Sequence, residues 1–365
     1  MAKSADGVGL IIRSCTVRIV QVPLNFPLGT SAATVTKVPL VLLDLDMEEG
    51  VTGRAYVFGY TPAGAVSIAR ATSEAVDLAK GTAASPLQLQ LRLGRRYALL
   101  GVTGTVRMAL SLLDMAVWDA LGRAVGLPVA RLLGGAPGTL AAYDSRGLGL
   151  APPAELGRQA ERLLELDLGA IKLRLGYPTL AEDLDAVDVV RSLTDRPLMV
   201  DYNQALSLVE TRARGRALEE KGVLWLEEPI RHDDYAGAAA LSRELDLPIQ
   251  IGENFNGCEA MLQAVQANAC DLAMPDISRI GGVTGWMQAA GVAAAAGIPI
   301  STHLMPEMSG HALAASATSH WLEYVDWANA ILREPLEIRD GRAIVPDRPG
   351  FGLEWDEKRI SALSQ

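Results

Sequence analysis

Short apolar runs recur through the middle of the chain, and each ends in polar residues before a longer stretch with helical spacing. Eight such ends carry the following residues: Ser145, Lys172 with Arg174, Asp201 with Asn203, Glu227, Glu253, Asp276, His303 and Glu323. The intervals between successive ends are 27, 29, 26, 26, 23, 27 and 20 residues. A strand, its turn, its helix and the return need roughly 25 to 30 residues. Eight successive ends therefore predict a parallel β/α barrel with one unit short of its helix, since a doubly wound open sheet seldom carries eight evenly spaced units.

The stretches between these ends have the spacing of helices. Leu180, Leu184, Val187 and Val190 recur on one helical face after the second predicted strand. Prolines that stop the preceding helix stand just before three strands, at Pro197, Pro248 and Pro299. We assign the barrel to residues 131–330.

The two ends of the chain follow other patterns. Two strand-like stretches near the start, CTVRIVQVPL and PLVLLDLDMEEGVTG, precede helices, the clearest of which runs from Val106 to Ala124. The C-terminal stretch contains LEIRDGRAIV, whose Asp340-Gly341 pair is typical of a hairpin turn. We predict that residues 1–130 form an α+β module that caps the barrel mouth, and that residues 331–365 pack back on this module.

Composition and charge narrow the class of protein. Of the 365 residues 49% are hydrophobic and 21% charged, which is typical of a well-buried globule. The net charge of −10 argues against nucleic acid and against anionic membranes as main partners, because both are polyanions.

Cellular location follows from features that the sequence lacks. The three scattered cysteines, Cys15, Cys258 and Cys270, form neither a disulfide framework nor a zinc motif. The N-terminus has no signal-peptide pattern, and the richest apolar stretch, residues 291–300, is too short to span a bilayer. We expect a soluble cytoplasmic protein.

Three of the strand ends are acidic and consecutive, which predicts a metal site. Asp201, Glu227 and Glu253 should converge on neighbouring points of the barrel rim, because barrel strands direct their carboxyl ends to one face. Carboxylate oxygens alone, with no Cys or His, favour Mg²⁺, with Mn²⁺ as a substitute, over zinc. A single acidic residue at the end of one strand would instead be interpreted as a solvent-exposed side chain without a metal.

Two cations and a histidine lie at the other strand ends. Lys172 and Arg174 are two residues apart, so their side chains share one face of a strand. The positive charge of Arg174 should lower the pKa of Lys172, which would favour a neutral lysine that can act as a base. They also serve as counter-ions for the acidic cluster. His303 has a partner in Asp276, which would orient and tune an imidazole base. We assign structural roles to the remaining histidines, which are His232, His311 and His320.

Several long motifs give the chain a family resemblance. The stretches IKLRLGYP, VDYNQ, WLEEP, GEN, MPDISRIGGVTGW, STHLMPE and HWLE resemble the mandelate racemase group of the enolase superfamily. The likeness extends to VPLNFPLGTSAATVTKVPLVLLDL, YVFGYTP and LLDMAVWDALG near the start, and to VPDRPGFGLEW near the end. It therefore covers nearly the whole chain.

The resemblance implies a (β/α)₇β barrel with an α+β cap, and roles for residues that match the motifs. It makes Asp201, Glu227 and Glu253 the Mg²⁺ ligands and His303, paired with Asp276, the base on one face of the substrate. It makes Glu323 the acid that hydrogen-bonds the carboxylate of an enediolate intermediate. It places five residues near the substrate: the polar Ser145 and Asn203, and the apolar Leu28, Val35 and Val325.

Two positions depart from the family pattern. The family has Lys-x-Lys on the second barrel strand, whose second lysine is the base on the other face, and here that position is Arg174. A guanidinium is a poor general base at neutral pH. Beside Ser145, Arg146 replaces a histidine and would add positive charge near the substrate.

These features leave three functions open. Racemisation of a 2-hydroxy carboxylate, with Lys172 as the second base, is supported by the apolar pocket residues and ranks narrowly first. Dehydration of an acid sugar needs only His303 as a base and follows closely, while a catalytically silent metal-binding barrel comes last. We expect a small carboxylate as substrate and a homo-oligomer whose size the sequence does not determine.

Overall fold

The computed structural model describes residues 9–30 and 34–364, and its N-terminal part is a small antiparallel sheet covered by helices. The strands are β1 (Ile12–Gly29), β2 (Thr34–Met47) and β3 (Thr52–Phe58), paired in the order β1-β2-β3. The helices are α1 (Pro62–Ala79), α2 (Pro86–Arg96), α3 (Gly104–Val125) and α4 (Val129–Leu132). The helix predicted from Val106 to Ala124 is confirmed as α3, which ends where Gly126 takes a φ of 73°.

The packing of α3 on this sheet depends on one glycine. A Cβ at Gly53 of β3 would lie 2.0 Å from the carbonyl oxygen of Ala116 in α3, so only glycine allows this approach. The sheet and α3 thus share one buried apolar layer.

The middle of the chain alternates strands and helices. In chain order these are β4 (Thr139–Asp144), α5 (Pro153–Leu164), β5 (Ala170–Arg174), α6 (Leu180–Arg191), β6 (Leu198–Asp201), α7 (Leu208–Glu219), β7 (Leu226–Glu227), α8 (Tyr235–Glu244), β8 (Ile249–Ile251), α9 (Cys258–Gln266), β9 (Leu272–Ala273), α10 (Ile277–Ile280), α11 (Gly282–Ala296), α12 (Pro306–Leu313) and β10 (Leu322–Tyr324). Strands β4 to β9 pair in sequence order, each parallel to the next, and β10 pairs in parallel with β4.

A segment at residues 300–303 closes the ring between β9 and β10. It makes single parallel bridges from Ile300 to Ala273 and to Ser319, and from His303 to Asp276. Within the described residues, the ring has eight strand positions, of which the first seven are each followed by a helix. The predicted (β/α)₇β barrel is therefore confirmed.

Local sequence signals start two of the barrel helices. The Thr179 side chain accepts a hydrogen bond from the backbone N–H of Glu182, and the Ser207 side chain accepts one from the backbone N–H of Glu210. Each glutamate side chain in turn accepts the backbone N–H of its cap residue. These reciprocal capping boxes satisfy N–H groups that a helix start otherwise leaves free.

The C-terminal hairpin forms as predicted, with Asp340 and Gly341 at positive φ between β11 (Glu337–Arg339) and β12 (Arg342–Ile344). However, β12 pairs antiparallel with the first residues of β4, so within residues 331–365 the hairpin lies against the barrel and not against the N-terminal module. The reason is that β4 begins before the parallel ladder with β5, which starts only at Tyr143, so its first residues offer an open edge.

The chain after the hairpin does return to the N-terminal module. Trp355 Nε1 donates to Asp44 Oδ1 at 2.9 Å, and Glu357, which begins α13 (Glu357–Leu363), forms an ion pair with Arg18. No helix in residues 9–30 and 34–364 is long and apolar enough to cross a membrane.

The cap meets the barrel at its carboxyl-end rim. The backbone N–H of Leu150, in the loop after β4, donates to the carbonyl of Gly29 at the tip of the β1–β2 hairpin, at 2.9 Å. Asn25 of β1 donates to Asp326, just after β10, also at 2.9 Å. The hairpin therefore covers the side of the mouth formed by the first and last barrel strands.

Candidate active site

Three carboxylates from consecutive strands meet at the carboxyl end of the barrel. Asp201 ends β6, Glu227 ends β7 and Glu253 follows β8, and one oxygen of each lies within 4.8 Å of the other two. Asp201 and Glu227 are almost fully buried, and the side chain of Glu253 is 16% exposed. We call these three residues the acidic trio.

Lys172 is the cation beneath the acidic trio. Its Nζ donates to Glu227 Oε1 at 2.6 Å and lies 2.8 Å from Glu323 Oε1 and 3.4 Å from Asp201 Oδ2. Burial lowers the pKa of Lys172 and Arg174 lowers it further, but the three carboxylates outweigh both and raise it. Arg174 therefore lowers the pKa of Lys172 as expected, but the carboxylates keep Lys172 a cation in this arrangement. The role of Lys172 as a base stays a prediction.

Arg174 binds the loop that follows β4. Its Nη1 donates to the carbonyl of Gly147 at 3.0 Å, and its Nη2 donates to Ser145 Oγ at 3.1 Å. Because that Arg174 N–H occupies a lone pair of the Ser145 hydroxyl, the hydroxyl proton is free to donate to Glu323 Oε1, 2.7 Å away. Arg174 is thus a buried cation with a fixed orientation.

Glu323, from β10, accepts hydrogen bonds at both oxygens. In addition to Ser145 and Lys172 on Oε1, the backbone N–H of Leu304 donates to Oε2 at 2.8 Å. Burial raises the pKa of Glu323, but Lys172, His303 and the Leu304 N–H outweigh it and lower the pKa to about 2. Glu323 is ionised in this arrangement, whereas the donor role that the resemblance implies needs the protonated acid.

His303 joins the acidic trio to a buried aspartate. Its Nδ1 lies 2.7 Å from Asp276 Oδ2, and its Nε2 lies 3.3 Å from Glu253 Oε2. The other oxygen of Asp276 accepts the backbone N–H groups of Ser278 and Arg279 at the start of α10, at 2.7 and 3.2 Å. Asp276 is therefore held in one orientation and holds the imidazole with Nε2 toward the trio.

The groups around the trio carry a surplus of negative charge. Burial lowers the pKa of His303, but Glu253 and the other nearby carboxylates outweigh it and raise the pKa to about 9. Burial raises the pKa of Glu227 to about 8, despite Lys172. Glu228 is also buried, and among the described residues its Oε2 has no hydrogen-bond partner. An all-oxygen donor set with this surplus fits a hard divalent cation such as Mg²⁺.

Asn203 lies beside the trio. Its backbone N–H and its Nδ2 donate to the two oxygens of Asp201 at 2.7 and 2.9 Å. Its φ of 44° lies in the left-handed region, which asparagine adopts more readily than most residues. The predicted contact of Asn203 with substrate stays a prediction.

Arg146 does not supply the free positive charge that the sequence led us to expect. Its guanidinium binds both oxygens of Asp144, with Nη2 at 2.8 Å from Oδ2 and Nε at 3.0 Å from Oδ1. It also lies over the rings of Phe26 and Tyr324, 5.5 and 5.7 Å from their centroids. Asp144, which the sequence analysis did not consider, therefore neutralises this residue.

The three predicted apolar residues lie where the cap meets the barrel. Leu28 and Val35 face each other in register across β1 and β2, near the hairpin tip that touches Leu150. Val325 is buried and directly follows β10, two residues after Glu323. Whether these side chains contact substrate stays a prediction.

Two buried polar residues at the trio were missed by the sequence analysis. Trp225 Nε1 and Gln250 Nε2 both donate to Glu227 Oε2, at 3.1 and 3.3 Å. Gln250 could have been found because it is the single amide in the apolar strand IQI, and a buried amide needs a hydrogen-bond partner. The signal for Trp225 was its spacing of two residues from Glu227, which puts both side chains on one face.

Comparisons with known proteins agree with this geometry. Residues 12–134 match the N-terminal domain of mandelate racemase and muconate lactonizing enzyme, and residues 155–359 match the enolase C-terminal domain-like family. The L-talarate/galactarate dehydratase of Salmonella typhimurium is 31% identical over 326 residues, which cover 88% of this chain and 82% of that enzyme.

Two solved structures are more similar. An enolase from the alpha proteobacterium bal199, with bound Mg, is 43% identical with a TM-score of 0.95, covering 98% of this chain and 100% of that one. An enolase from Bradyrhizobium, complexed with magnesium and mandelic acid, is 37% identical with a TM-score of 0.93, covering 98% and 99%.

Proposed function

The chain belongs to the mandelate racemase and muconate lactonizing enzyme family of the enolase superfamily, and we propose that it removes the α-proton of a 2-hydroxy carboxylate with His303 as its single base. It is an enzyme of Mg²⁺-dependent type, as its relatives are. Dehydration of a 2,3-dihydroxy acid is the reaction that this geometry supports best.

The observation that carries the proposal is the pairing of His303 with Asp276. The carboxylates around His303 raise its pKa to about 9, and a cation bound by the acidic trio would offset them and return the ring to its neutral form. Because Asp276 accepts the Nδ1 proton at 2.7 Å, the lone pair of that neutral ring is at Nε2, which faces the acidic trio. A carboxylate partner also stabilises the imidazolium that forms once the α-proton has been taken.

The opposite face of the substrate has no comparable base. Arg174 is held by Gly147 and Ser145, and Lys172 is a cation paired with Glu227 and Glu323. Their fixed positive charges suit a substrate carboxylate better than an α-proton. The two fixed cations therefore favour dehydration over racemisation, the reverse of the order that the sequence suggested.

Asp201, Glu227 and Glu253 would hold the cation. When bound, Mg²⁺ supplies positive charge that offsets the trio and stabilises the negative charge that grows on the substrate carboxylate as the α-proton leaves. Lys172, which lies between Glu227 and Glu323, would donate to the same substrate carboxylate. The protein's part is thus to fix the carboxylate between these groups and to present the α-carbon to His303.

The dehydration step balances without a further reactant. His303 Nε2 takes the α-proton, the electron pair forms the double bond to the β-carbon, and the β-hydroxyl leaves. The imidazolium is a donor that can protonate the departing hydroxide, so water and an enol are released and His303 is neutral again. The enol then tautomerises to a 2-keto acid.

Racemisation remains the second candidate because of the apolar side chains at the mouth. Leu28 and Val325 are buried at the junction of cap and barrel, and the Bradyrhizobium relative was crystallised with mandelic acid, an aromatic 2-hydroxy acid. In this case Lys172 would have to lose its proton and act from the second face.

Product analysis distinguishes the two reactions. The protein with Mg²⁺ is incubated with a panel of acid sugars, including galactarate, and separately with each enantiomer of mandelate. Formation of a 2-keto acid, detected with semicarbazide, supports dehydration. Conversion of one mandelate enantiomer into the other without any keto acid would overturn it in favour of racemisation.

A further inference from the structure

The carboxylate of Glu227 is held by three side-chain donors. Lys172 occupies Oε1 at 2.6 Å, and Trp225 Nε1 and Gln250 Nε2 both donate to Oε2, at 3.1 and 3.3 Å. All four side chains are almost fully buried. Lys172 has a part in the proposed reaction, but Trp225 and Gln250 do not yet have one.

Neither Trp225 nor Gln250 can easily move. The Trp225 indole packs edge-on against the ring of Tyr143, with centroids 5.5 Å apart, inside the barrel beneath the acidic trio. Gln250 is paired with Glu227 in the ladder between β7 and β8, and its Nε2 lies 3.0 Å from Met274 Sδ. Both donors are thus fixed by the barrel itself.

Two N–H donors on one carboxylate oxygen restrict how Glu227 can bind a cation. A carboxylate oxygen has two lone pairs, so two donors leave Oε2 with none for a cation. Oε1 keeps one lone pair beside its bond from Lys172, and so Glu227 can offer one oxygen only. Mg²⁺ takes single carboxylate oxygens in a tight octahedron, whereas Ca²⁺ uses more ligands and often both oxygens of a carboxylate.

We propose that Trp225 and Gln250 are positioning residues that keep Glu227 a one-oxygen ligand and thereby make the site select Mg²⁺ over Ca²⁺. The inference rests on the proposed function, in which the acidic trio holds the cation. It adds a pair of residues outside the trio that sets which cation the trio accepts.

The test is the binding of each cation alone, without substrate, by isothermal titration calorimetry. Trp225→Phe and, separately, Gln250→Met remove one donor each and keep most of the side-chain volume. Loss of an outer-shell partner typically weakens metal binding about 10- to 100-fold, so we expect about a 10-fold weaker Mg²⁺ affinity. Because a freed Oε2 can bind the larger ion, Ca²⁺ affinity should fall by less, so the preference for Mg²⁺ narrows.

A matched variant controls for the loss of any buried indole. Trp286 is fully buried in α11, and its Nε1 donates to Ser316 Oγ at 3.0 Å, away from the acidic trio. Trp286→Phe should leave both cation affinities unchanged. Thermal melting of each variant without metal checks that the fold is intact, and Gln250→Met keeps the test open if Trp225→Phe does not fold.

The outcomes separate this inference from the proposed function. Unchanged affinities in both variants, or equal losses for Mg²⁺ and Ca²⁺, would overturn the positioning role while leaving the Mg²⁺ site of the wild type in place. A wild type that binds no Mg²⁺ would overturn the proposed function itself, and the positioning role with it.

Discussion

Position 174 is an arginine, whereas the family motif has its second lysine there. The hydrogen bonds of Arg174 indicate a structural role for this substitution. The guanidinium reaches two acceptors in different directions, the Gly147 carbonyl and the Ser145 hydroxyl. A lysine ammonium is a shorter, single donor centre and would not match this fork. Arg174 therefore ties β5 to the loop after β4 as well as carrying charge.

Restoring a lysine at this position should restore a second base. We predict that Arg174→Lys gains exchange of the α-proton of the enantiomer that wild type exchanges slowly, because nearby Lys172 and the metal would lower the pKa of the new amine toward neutrality. Deuterium uptake of each enantiomer in D₂O, followed by NMR, measures the gain. Arg174→Met, which has no amine, is the control and should not gain it.

This prediction has a clear competitor. If Lys172 already serves as the second base, wild type exchanges both enantiomers equally and Lys172→Met loses one of the two. No gain in Arg174→Lys, with the fold intact and Mg²⁺ bound, would defeat our account of Arg174.

The His303–Asp276 pair predicts a graded loss of activity. Removal of a general base typically costs about 10²- to 10⁴-fold, so His303→Asn should be nearly inactive on the true substrate. Asp276→Asn keeps the imidazole and loses only its orientation and charge partner, and should lose less. Steady-state kcat/KM of both variants, with circular dichroism to check the fold, gives the comparison. Equal activity of His303→Asn and wild type would mean that another residue is the base.

The sequence predicted which residues form the site, but it did not predict the ion pairs and charge states of several of them. Strand spacing brings Asp201, Glu227 and Glu253 together because every barrel strand ends on the same rim. Spacing does not reveal that Asp144 neutralises Arg146, or that three carboxylates keep Lys172 charged. These outcomes depend on side-chain distances across strands, which a sequence pattern does not contain.

Among the helices, α6 has three aspartates, of which Asp183 and Asp188 lie in opposite environments. Asp183 is fully buried, forms an ion pair with Arg214 and accepts the hydroxyl of Tyr202 at 2.7 Å. The backbone N–H groups of Gly176 and Tyr177, in the turn that follows β5, also donate to it at 3.0 Å. Asp183 thus anchors the turn beside Lys172 and Arg174.

Substitutions of Asp183 and Asp188 should differ in their effect on stability. Asp183→Asn leaves Arg214 buried without its counter-charge, which typically costs about 3 to 5 kcal/mol. Asp188→Asn, on the same helix, breaks only the exposed pair with Lys221 and should cost less than about 1 kcal/mol. Urea unfolding of the two variants and wild type measures both. Similar losses in the two variants would contradict the role given to Asp183.

The sequence predicted a helix or strand correctly where the residues that determine it are close together in the chain. It did not predict which strands pair when the two strands are far apart in the chain. The apolar spacing of residues 106–124 predicted α3, and the Asp340-Gly341 pair predicted the C-terminal hairpin. The partner of that hairpin is the open start of β4, about 200 residues earlier in the chain, and nothing in the hairpin's own sequence indicates this choice.

For the molecule as a whole, a buried histidine links three parts of the chain. His311 of α12 accepts the backbone N–H of Ala130 at its Nδ1, at 3.2 Å, and its ring lies 5.5 Å from that of Phe351. Burial lowers the pKa of His311 to about 4. The imidazole is therefore neutral in the folded protein at pH values where the unfolded chain binds a proton.

The contribution of His311 to the free energy of unfolding should consequently fall in mild acid. The unfolded imidazole binds a proton below pH 6.5 and the folded one only near pH 4, so this contribution is complete above pH 6.5 and is lost as the pH falls through that window. At pH 5 the loss is about 2 kcal/mol. His311→Asn can still accept the Ala130 N–H and does not titrate.

The difference in the free energy of unfolding between wild type and His311→Asn separates the titration of His311 from that of the buried carboxylic acids. Asp114 and Glu307, for example, have pKa values raised to about 7 by burial and so change stability in the opposite direction. Urea unfolding at pH 7 and pH 5 should show the wild type losing about 2 kcal/mol relative to the variant. Parallel pH profiles would show that His311 does not titrate in this way.

The central claim is that one base, His303, removes the α-proton from one face of the substrate. It is tested most directly by incubating the Mg²⁺-loaded protein in D₂O with each enantiomer of mandelate, and with acid sugars of opposite configuration at the α-carbon, and following the α-proton by ¹H NMR. We expect loss of the α-proton signal from one configuration only, and from neither in His303→Asn. Equal exchange of both configurations by wild type, or undiminished exchange by His303→Asn, would contradict the claim.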